Sequence, residues 1–372
     1  MRAEKGLFVV ADGVGGNAAG EVASALCVAS VLDGIDHVNG AADGESELVL
    51  AGLEAACSEA SRRVYEAAGR GEQAGMATTL VAVQVNPGGA HIAHVGDSRA
   101  YLIRGRKIHQ LTEDHSFLND LRRTGRGAES MPANDRRRHM ITRAVGIFPT
   151  VQPSVAALEL FEGDRLLLCT DGLTDVVSAS RILELAVDGD LDDATGKLIA
   201  EALSAGGPDN VTVCLIAPEV GAATRLAEQR ARMIETLFLF EDMPWTARLQ
   251  IARILRVHGF ARGDVLARQG EHGTSMFIVL EGQVSVRLGD LEIARMGPGE
   301  HVGELSLVDA RPRAASVVAA SAGGAISISS DALRAFVRRE PELGAALQWK
   351  LLAVFAQRLR ATNARIDLSS NG

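Results

Sequence analysis

The sequence predicts two folds in succession: an α+β domain rich in antiparallel pairings, then a small β-roll or jelly-roll barrel closed by helices. Three observations carry that expectation. Through the first 217 residues short apolar runs alternate with Ala-rich helical stretches. From Gly259 to about Ile328 the runs shorten and are punctuated by glycines, at 263, 270, 282 and 289 among others. The last stretch reads as helix on both sides of Pro341. A chain of 372 residues has room for two or three domains, and the pattern changes around Pro218–Gly221. The expected division is a first domain over 1–217, a connector helix over 218–234 and a second domain over 235–365.

Taken in order, Leu7–Ala11 reads as a buried strand, and Glu21–Leu32 and Glu47–Ala68 as Ala-rich helices. Leu80–Val85, His91–Val95 and Ala100–Ile103 read as strands, with Arg104-Gly105-Arg106 turning the chain into Lys107–Leu111. Residues 116–140 are polar and basic, with no core face. Strands over Arg165–Cys169 and Val211–Ile216 flank a helical segment around 178–204. After the junction, Leu226, Met233, Ile234, Leu237 and Phe238 fall on one helical stripe. Beyond Pro341, Leu343, Leu347, Val354 and Phe355 give the final helix an apolar face.

Composition narrows the function. Lys and Arg total 38 against 47 Asp and Glu, a net charge of −9, which argues against nucleic acid as the partner. No apolar run reaches the length of a membrane span, and the N-terminus is no signal peptide. The four cysteines are scattered without a CxxC pair, so a reducing cytoplasmic compartment and no zinc site are expected.

Four acidic motifs carry chemistry: Ala11-Asp12-Gly13-Val14-Gly15-Gly16, Gly96-Asp97-Ser98-Arg99, Thr170-Asp171-Gly172-Leu173-Thr174-Asp175 and Pro208-Asp209-Asn210. Each aspartate ends an apolar strand or sits in a glycine turn beside one. Carboxylates gathered at a sheet rim suit hard divalent cations, Mg²⁺ or Mn²⁺. One Asp-Gly pair alone is usually a turn. The ordered set of ADGVGG, MATTL at 76–80, GDSRAYL at 96–102, TDGLTD at 170–175 and PDNVTV at 208–213 is far more specific. Over residues 1–217 it resembles the metal-dependent, type 2C (PPM) serine/threonine protein phosphatases.

That resemblance implies a central antiparallel β-sandwich flanked by helices, with a binuclear metal centre that hydrolyses phosphoserine or phosphothreonine on a protein substrate. Asp12 would bridge the two metals, the Gly13 carbonyl would bind one of them, and Asp171 and Asp209 would each add a carboxylate. Asp97 and Asp175 fall where some members hold a third metal. A water between two cations attacks phosphorus, so no protein nucleophile is required. Ser98 accordingly reads as a structural hydroxyl. Two departures stand out. The family's first motif, an arginine and an acidic residue upstream of ADGxGG, has no counterpart here, since eleven residues precede Asp12. Val14 stands where some relatives have a histidine, which leaves protonation of the leaving group unassigned.

Other readings of the same residues are weaker. Gly13-Val14-Gly15-Gly16-Asn17-Ala18 fits the dinucleotide pattern G-x-G-x-x-A, with Asp33 twenty residues on, but Asp33 follows a helical stretch rather than a second strand. A Walker A loop lacks its Gly-Lys-Ser/Thr. His91 and His94 point to opposite faces of a strand and form no metal pair. The arginines of 122–138 read either as a flap that attracts phosphoprotein or as a solvated loop.

In the second part, Gly303-Glu304-Leu305-Ser306 and Arg313-Ala314 delimit a short cassette. The start of a helical turn offers N–H groups near Leu305 and Ser306 to an anion. Arg313 can add a charge-assisted fork, and Glu304 can accept from a sugar hydroxyl. The segment resembles the phosphate-binding cassette of cyclic-nucleotide-binding domains, over about 235–365. It implies cAMP or cGMP as regulatory ligand, with Glu304 on the ribose and Arg313 on the cyclic phosphate. Ala314, in place of Thr or Ser, tilts the choice to cAMP. No helix-turn-helix follows the last helix, which argues against a transcription factor. The expected function is a phosphatase under cyclic-nucleotide control. The alternative is a non-catalytic nucleotide sensor with a pseudophosphatase domain.

Overall fold

The structure is a computed structural model. It describes residues 1–14, 17–35, 46–69, 75–87, 89–124, 131–132, 135–219, 237–240, 243–309 and 311–370. The chain divides into two compact units, Met1–Ala223 and Thr224–Gly372. Most of the connector expected over 218–234 lies outside the described residues.

Unit one opens with β1 (Leu7–Val10), β2 (Gly13–Val14) and the helices α1 (Asn17–Ile35) and α2 (Ser46–Ala68). Then come β3 (Ala77–Thr78), β4 (Leu80–Asn86), β5 (Gly89–Val95), β6 (Arg99–Arg104), β7 (Lys107–Gln110), α3 (Phe117–Arg123) and β8 (Ser154–Leu158). It finishes with β9 (Arg165–Cys169), α4 (Asp171–Thr174), α5 (Ala179–Ala186), α6 (Leu191–Ser204) and β10 (Val213–Ile216). Two four-stranded sheets form, in the orders β1-β4-β5-β8 and β10-β9-β6-β7, and every pairing in them is antiparallel.

Side-chain alternation explains the layering. Leu80, Ala82, Ala93 and Val95 pack with Cys27, Val31, Leu53 and Val64 of α1 and α2. Leu167 and Cys169 pack with Ile182, Leu198 and Ala202 of α5 and α6. The alternate residues Val81, Val83, Ile92, Leu166 and Leu168 are also fully buried. With both faces covered, the sheets form a helix-flanked sandwich. Asp33 lies inside α1 rather than at the end of the second strand that a dinucleotide fold requires.

Several local readings shift. The helical segment expected around 178–204 is two helices, because Gly189 takes a positive φ of 82° and Asp190 caps α6 through the N–H groups of Asp192 and Asp193. Strand β8 escaped the sequence reading: Ser154–Leu158 is half-buried on an edge and lacks a glycine signal. The hairpin at Arg104–Lys107 forms as expected, with Gly105 at φ 57°. Residues 117–123 form a helix with no buried residue, in keeping with a stretch that has no core face.

Unit two contains β11 (Leu255–Phe260), β12 (Val265–Ala267), β13 (Ser275–Glu281), β14 (Val284–Leu288) and β15 (Leu291–Met296), followed by β16 (His301–Val302), β17 (Ser316–Ala319) and β18 (Gly323–Ser329). They make two sheets, β11-β18-β13-β16 and β12-β17-β14-β15. Val279, Val284, Val286, Val302 and Val317 fill the space inside the roll. The opposite face of the first sheet, through Ile278, Ile326 and Ile328, packs on Phe336, Leu347 and Leu351 of the helices Ser330–Arg339 and Pro341–Ser370. Leu343 and Phe355 add to that seam. No helix among the described residues is long and apolar enough to cross a membrane.

Candidate active site and nucleotide site

Strand register brings the four acidic motifs of unit one to one rim. In the first sheet Val10 pairs with Val81, and Val95 with Leu80, so β1 and β5 end at the same rim on either side of β4. In the second, Cys169 pairs with both Val213 and Arg99. Asp12 follows β1, Asp97 lies in the β5–β6 crossover, Asp171 follows β9, and Asp209 precedes β10. Residues far apart in sequence therefore meet because four strand ends coincide.

The carboxyls perturb one another. Burial, then the charges of Asp171 and Asp209, push the Asp12 carboxyl up to about 7. Burial, Asp171 and Asp114 push Asp97 up to about 6. Asp171 is raised as well, by burial and by Asp175 and Asp209. Asp171 Oδ1 is buried with no hydrogen-bond partner among the described residues. Among those residues no three His, Cys, Asp or Glu side chains close into a ready-made ligand cage. Like charges this near hold one another apart, and a divalent cation reverses the sign of that force. Asp209 and Asp175 are exposed, whereas Asp12, Asp97 and Asp171 are half-buried.

Hydroxyls and glycines hold the acid-bearing turns. Asp12 N–H donates to Thr79 Oγ1 at 3.0 Å, and its carbonyl accepts from Thr79 N–H at 2.8 Å and Thr78 Oγ1 at 2.7 Å. A Cβ on Gly13 would fall 2.1 Å from the Gly20 carbonyl oxygen, so only glycine lets α1 start this close to the turn. Thr170 latches the TDG turn to the PDN loop, donating from Oγ1 to the Asn210 carbonyl at 3.2 Å and accepting from Thr212 N–H at 3.0 Å. These threonines were absent from the candidate residues. For Thr170 the signal available was a hydroxyl directly before the Asp-Gly pair of TDGL, whereas Thr78 and Thr79 lie beside no Asp-Gly pair in the sequence.

The histidines scaffold the site. His91 faces α2 and bonds Ser46 Oγ, and His94 faces the other way and bonds the Glu113 carbonyl. The His94 and His115 rings stack at 4.4 Å. His115 Nδ1 accepts from Gly96 N–H at 3.2 Å, and its backbone N–H donates to the Gly96 carbonyl. Burial lowers both rings below the usual histidine range, so they stay neutral. Ser98 Oγ is a buried hydroxyl bonded to Thr79 Oγ1 at 2.7 Å. Arg99 forks onto Asp114.

In unit two, Gly303 precedes the 3-10 turn Glu304–Leu307 with φ 83°. Glu304 is buried, while Leu305 and Ala314 are exposed. Ser306 N–H is committed to the Gly303 carbonyl, at 3.1 Å. Arg313 lies across the Phe277 ring at 5.7 Å and donates from Nη2 to the Ser275 carbonyl at 2.7 Å. Its guanidinium fills the space a side chain would need at Gly273 or Gly303, where a Cβ would come within 2.0 and 2.5 Å of it. Burial pushes the Arg313 pKa down, the response of a cation short of countercharge. The cassette thus brings Gly303 and Arg313 into contact.

Fold and sites define a two-module protein, an α+β sandwich rimmed with carboxylates followed by a β-roll carrying a Glu/Arg cassette. The profile of "Protein phosphatase 2C" matches residues 2–195, and that of "Cyclic nucleotide-binding domain" matches residues 257–340. Protein phosphatase PhpP of Streptococcus pneumoniae is 35% identical over 216 residues, 58% of this chain and 87% of that protein. The serine/threonine phosphatase stp of Listeria monocytogenes is 35% identical over 56% of this chain and 83% of its own. Among solved structures, the S. agalactiae serine/threonine phosphatase aligns with a TM-score of 0.53 and 34% identity, covering 57% of this chain and 87% of that one. Stp1 from Staphylococcus aureus aligns at 0.52 and 35%, over 57% and 84%. The chain belongs to the protein phosphatase 2C family of serine/threonine phosphatases, and it carries a cyclic nucleotide-binding domain after the phosphatase domain.

Proposed function

We propose that this chain hydrolyses phosphoserine and phosphothreonine on proteins at the Asp12–Asp171–Asp209 cluster with the help of Mg²⁺ or Mn²⁺. We further propose that a cyclic nucleotide, cAMP by preference, controls it from the Glu304–Arg313 cassette. The observation that carries the first reading is the strand register that gathers the Asp12, Asp97, Asp171 and Asp209 turns at one rim; burial and the neighbouring carboxylates raise the Asp12 pKa, with no basic group among the main influences on it. The donor set is all oxygen, which suits a hard cation, and it includes Asp171 Oδ1, a buried carboxylate oxygen with no hydrogen-bond partner among the described residues. Asp12 would bridge two ions with the Gly13 carbonyl on one of them, Asp171 and Asp209 would complete the pair, and Asp97 and Asp175 would serve a third. When bound, the ions supply positive charge to the phosphoryl oxygens and acidify a water for in-line attack.

The chain's own residues fix the geometry that this chemistry needs. Thr78 and Thr79 immobilise the Asp12 backbone, Thr170 ties Asp171 to the Asp209 loop, and His115 grips Gly96 beside Asp97. In the roll, Arg313 would exchange its Ser275 contact for a cyclic phosphate, a charge-assisted bond stronger than the neutral one it replaces. Buried Glu304 would accept from the ribose. Ala314 offers no hydroxyl to a guanine, which favours adenine. The functional modules are taken as 1–217 and 235–365, in a reducing cytoplasm where the four thiols stay free.

The test is Mn²⁺-dependent hydrolysis of a phosphothreonine peptide with and without cAMP, on the wild type, Asp171→Ala and Arg313→Ala. Asp171→Ala is expected to abolish turnover, and Arg313→Ala to remove only the response to nucleotide. Activity retained by Asp171→Ala overturns the site. Binding of cAMP with hydrolysis unchanged at every concentration overturns the regulation.

A further inference from the structure

We infer that Thr79 and Ser98 form a hydroxyl cross-link that sets the spacing of the Asp12 and Asp97 carboxylates, making Thr79 a positioning residue for the metal centre. This inference rests on the metal reading of that cluster. Thr79 stands between β3 and β4, and neither its side chain nor that of Ser98 belongs to the proposed ligand set. Their Oγ atoms are 2.7 Å apart, and both residues are buried, at 2% and 1% exposure. The same Thr79 Oγ1 accepts the Asp12 N–H at 3.0 Å, while the Thr79 N–H returns to the Asp12 carbonyl at 2.8 Å. One residue thus holds both backbone groups of Asp12 and, through Ser98, the neighbour of Asp97.

Asp12 follows β1 and Asp97 follows β5, the two strands that flank β4, and Thr79 stands at the head of β4 between them. Asp12 hangs from the first sheet, and Asp97 sits in the crossover between the two sheets. A second contact reinforces the link. Gly96 lies at φ 103°, and a Cβ there would be 2.8 Å from Thr79 Cβ, so the Asp97 turn rests directly on the threonine. Valine fits the space of threonine but removes the acceptor for Asp12 N–H and the partner of Ser98, leaving two buried polar groups unmatched. Partners one bond away from metal ligands typically change metal affinity by about 10- to 100-fold when removed.

The experiment is calorimetric Mn²⁺ titration of the full chain, alongside urea unfolding and phosphopeptide kinetics, for Thr79→Val, Thr79→Ser, Ser98→Ala and the double variant Thr79→Val/Ser98→Ala. Expected are a Mn²⁺ affinity about 10-fold weaker in Thr79→Val, a smaller loss in Ser98→Ala, and a double variant no worse than Thr79→Val alone. Thr79→Ser keeps the hydroxyl and stays within about twofold of wild type. Additive losses in the double variant, or wild-type affinity in both single variants, overturn the cross-link. So does an equal loss in Thr79→Ser and Thr79→Val, which would assign the effect to packing. If Thr79→Val fails to fold, Ser98→Ala and Thr79→Ser decide. Wild-type protein that binds no Mn²⁺ overturns the metal reading itself, whereas binding unchanged across the variants overturns only the cross-link.

Discussion

Gly172→Ala isolates one contact on which the candidate active site depends. Gly172 lies in the turn α4, and its φ is not positive, so alanine carries no backbone penalty. By helix propensity alone the substitution is favourable by up to about 1 kcal/mol. The neighbour opposes it. A Cβ at 172 would lie 2.3 Å from the Asn210 carbonyl oxygen and 3.0 Å from the Asn210 carbonyl carbon, against an ordinary contact of 3.4 Å or more. The clash is with backbone, so relief requires the Asp209–Asn210 loop to move by about 1 Å relative to Asp171, given the 2.3 Å approach. Thr170 resists that movement through its bonds to Asn210 and Thr212. Overpacking of this kind costs about 1–3 kcal/mol of stability. A 1 Å misplacement of a catalytic group costs on the order of 100-fold in rate. Steady-state phosphopeptide kinetics at saturating Mn²⁺, with urea unfolding of the same preparation, read both. A Gly172→Ala enzyme with kcat/KM within twofold of wild type would refute the claim that the Asp171 and Asp209 turns are mutually registered through this glycine.

Three further outcomes are expected. Gly303→Ala puts a Cβ 2.5 Å from the Arg313 guanidinium at a φ of 83° and should abolish cAMP binding in calorimetry while leaving basal phosphopeptide turnover intact. Arg104→Ala strands Asp164, only 2% exposed and doubly bonded by that arginine, and should cost about 3–5 kcal/mol in chemical denaturation. His115 is pushed down to about 2 by burial, then by His94 and Arg143, against 6.5 in the unfolded chain. The unfolded state therefore takes up a proton that the native state refuses. Stability from this residue is intact above pH 6.5 and is lost as pH falls toward 2, so the stability gap between wild type and His115→Gln should narrow below pH 6.5 in urea titrations. A gap independent of pH rejects this origin.

Much of the fold was legible because its signals are local. Alternating apolar runs such as Leu80–Val85 and Arg165–Cys169 became strands, and Gly105 and Gly289 turned hairpins at two-residue loops. The break at Gly189–Asp190 was written in the sequence as a glycine followed by a capping aspartate, and was masked by the apolar run on either side. Strand β8 carries no such mark, because its place is decided by pairing with β5 rather than by its own propensity. The aspartates could be named because each has a motif, but their meeting is a property of register. Nothing local to Asp12 states that Val10 and Val95 end at the same rim.

What the sequence hid most completely is the layer behind the acids. Four like charges at a sheet rim destabilise the fold that displays them, as the raised carboxyls of Asp12, Asp97 and Asp171 record. The turns must therefore be held by contacts that do not themselves neutralise the charge, or the rim would lose its attraction for a cation. A lysine or arginine placed against Asp12 would relieve the strain and occupy the ligand position. Threonine hydroxyls, glycine contacts and neutral histidine rings meet the requirement, since each binds backbone and brings no net charge. Thr78, Thr79 and Thr170 act this way, as do His115 and the close approaches of Gly13, Gly96 and Gly172. By contrast, guanidinium–carboxylate forks such as Arg99 on Asp114 and Arg104 on Asp164 use aspartates outside the proposed ligand set. Residue types that look like filler between Asp-Gly motifs are, on this argument, what allows uncompensated acids to be kept in place.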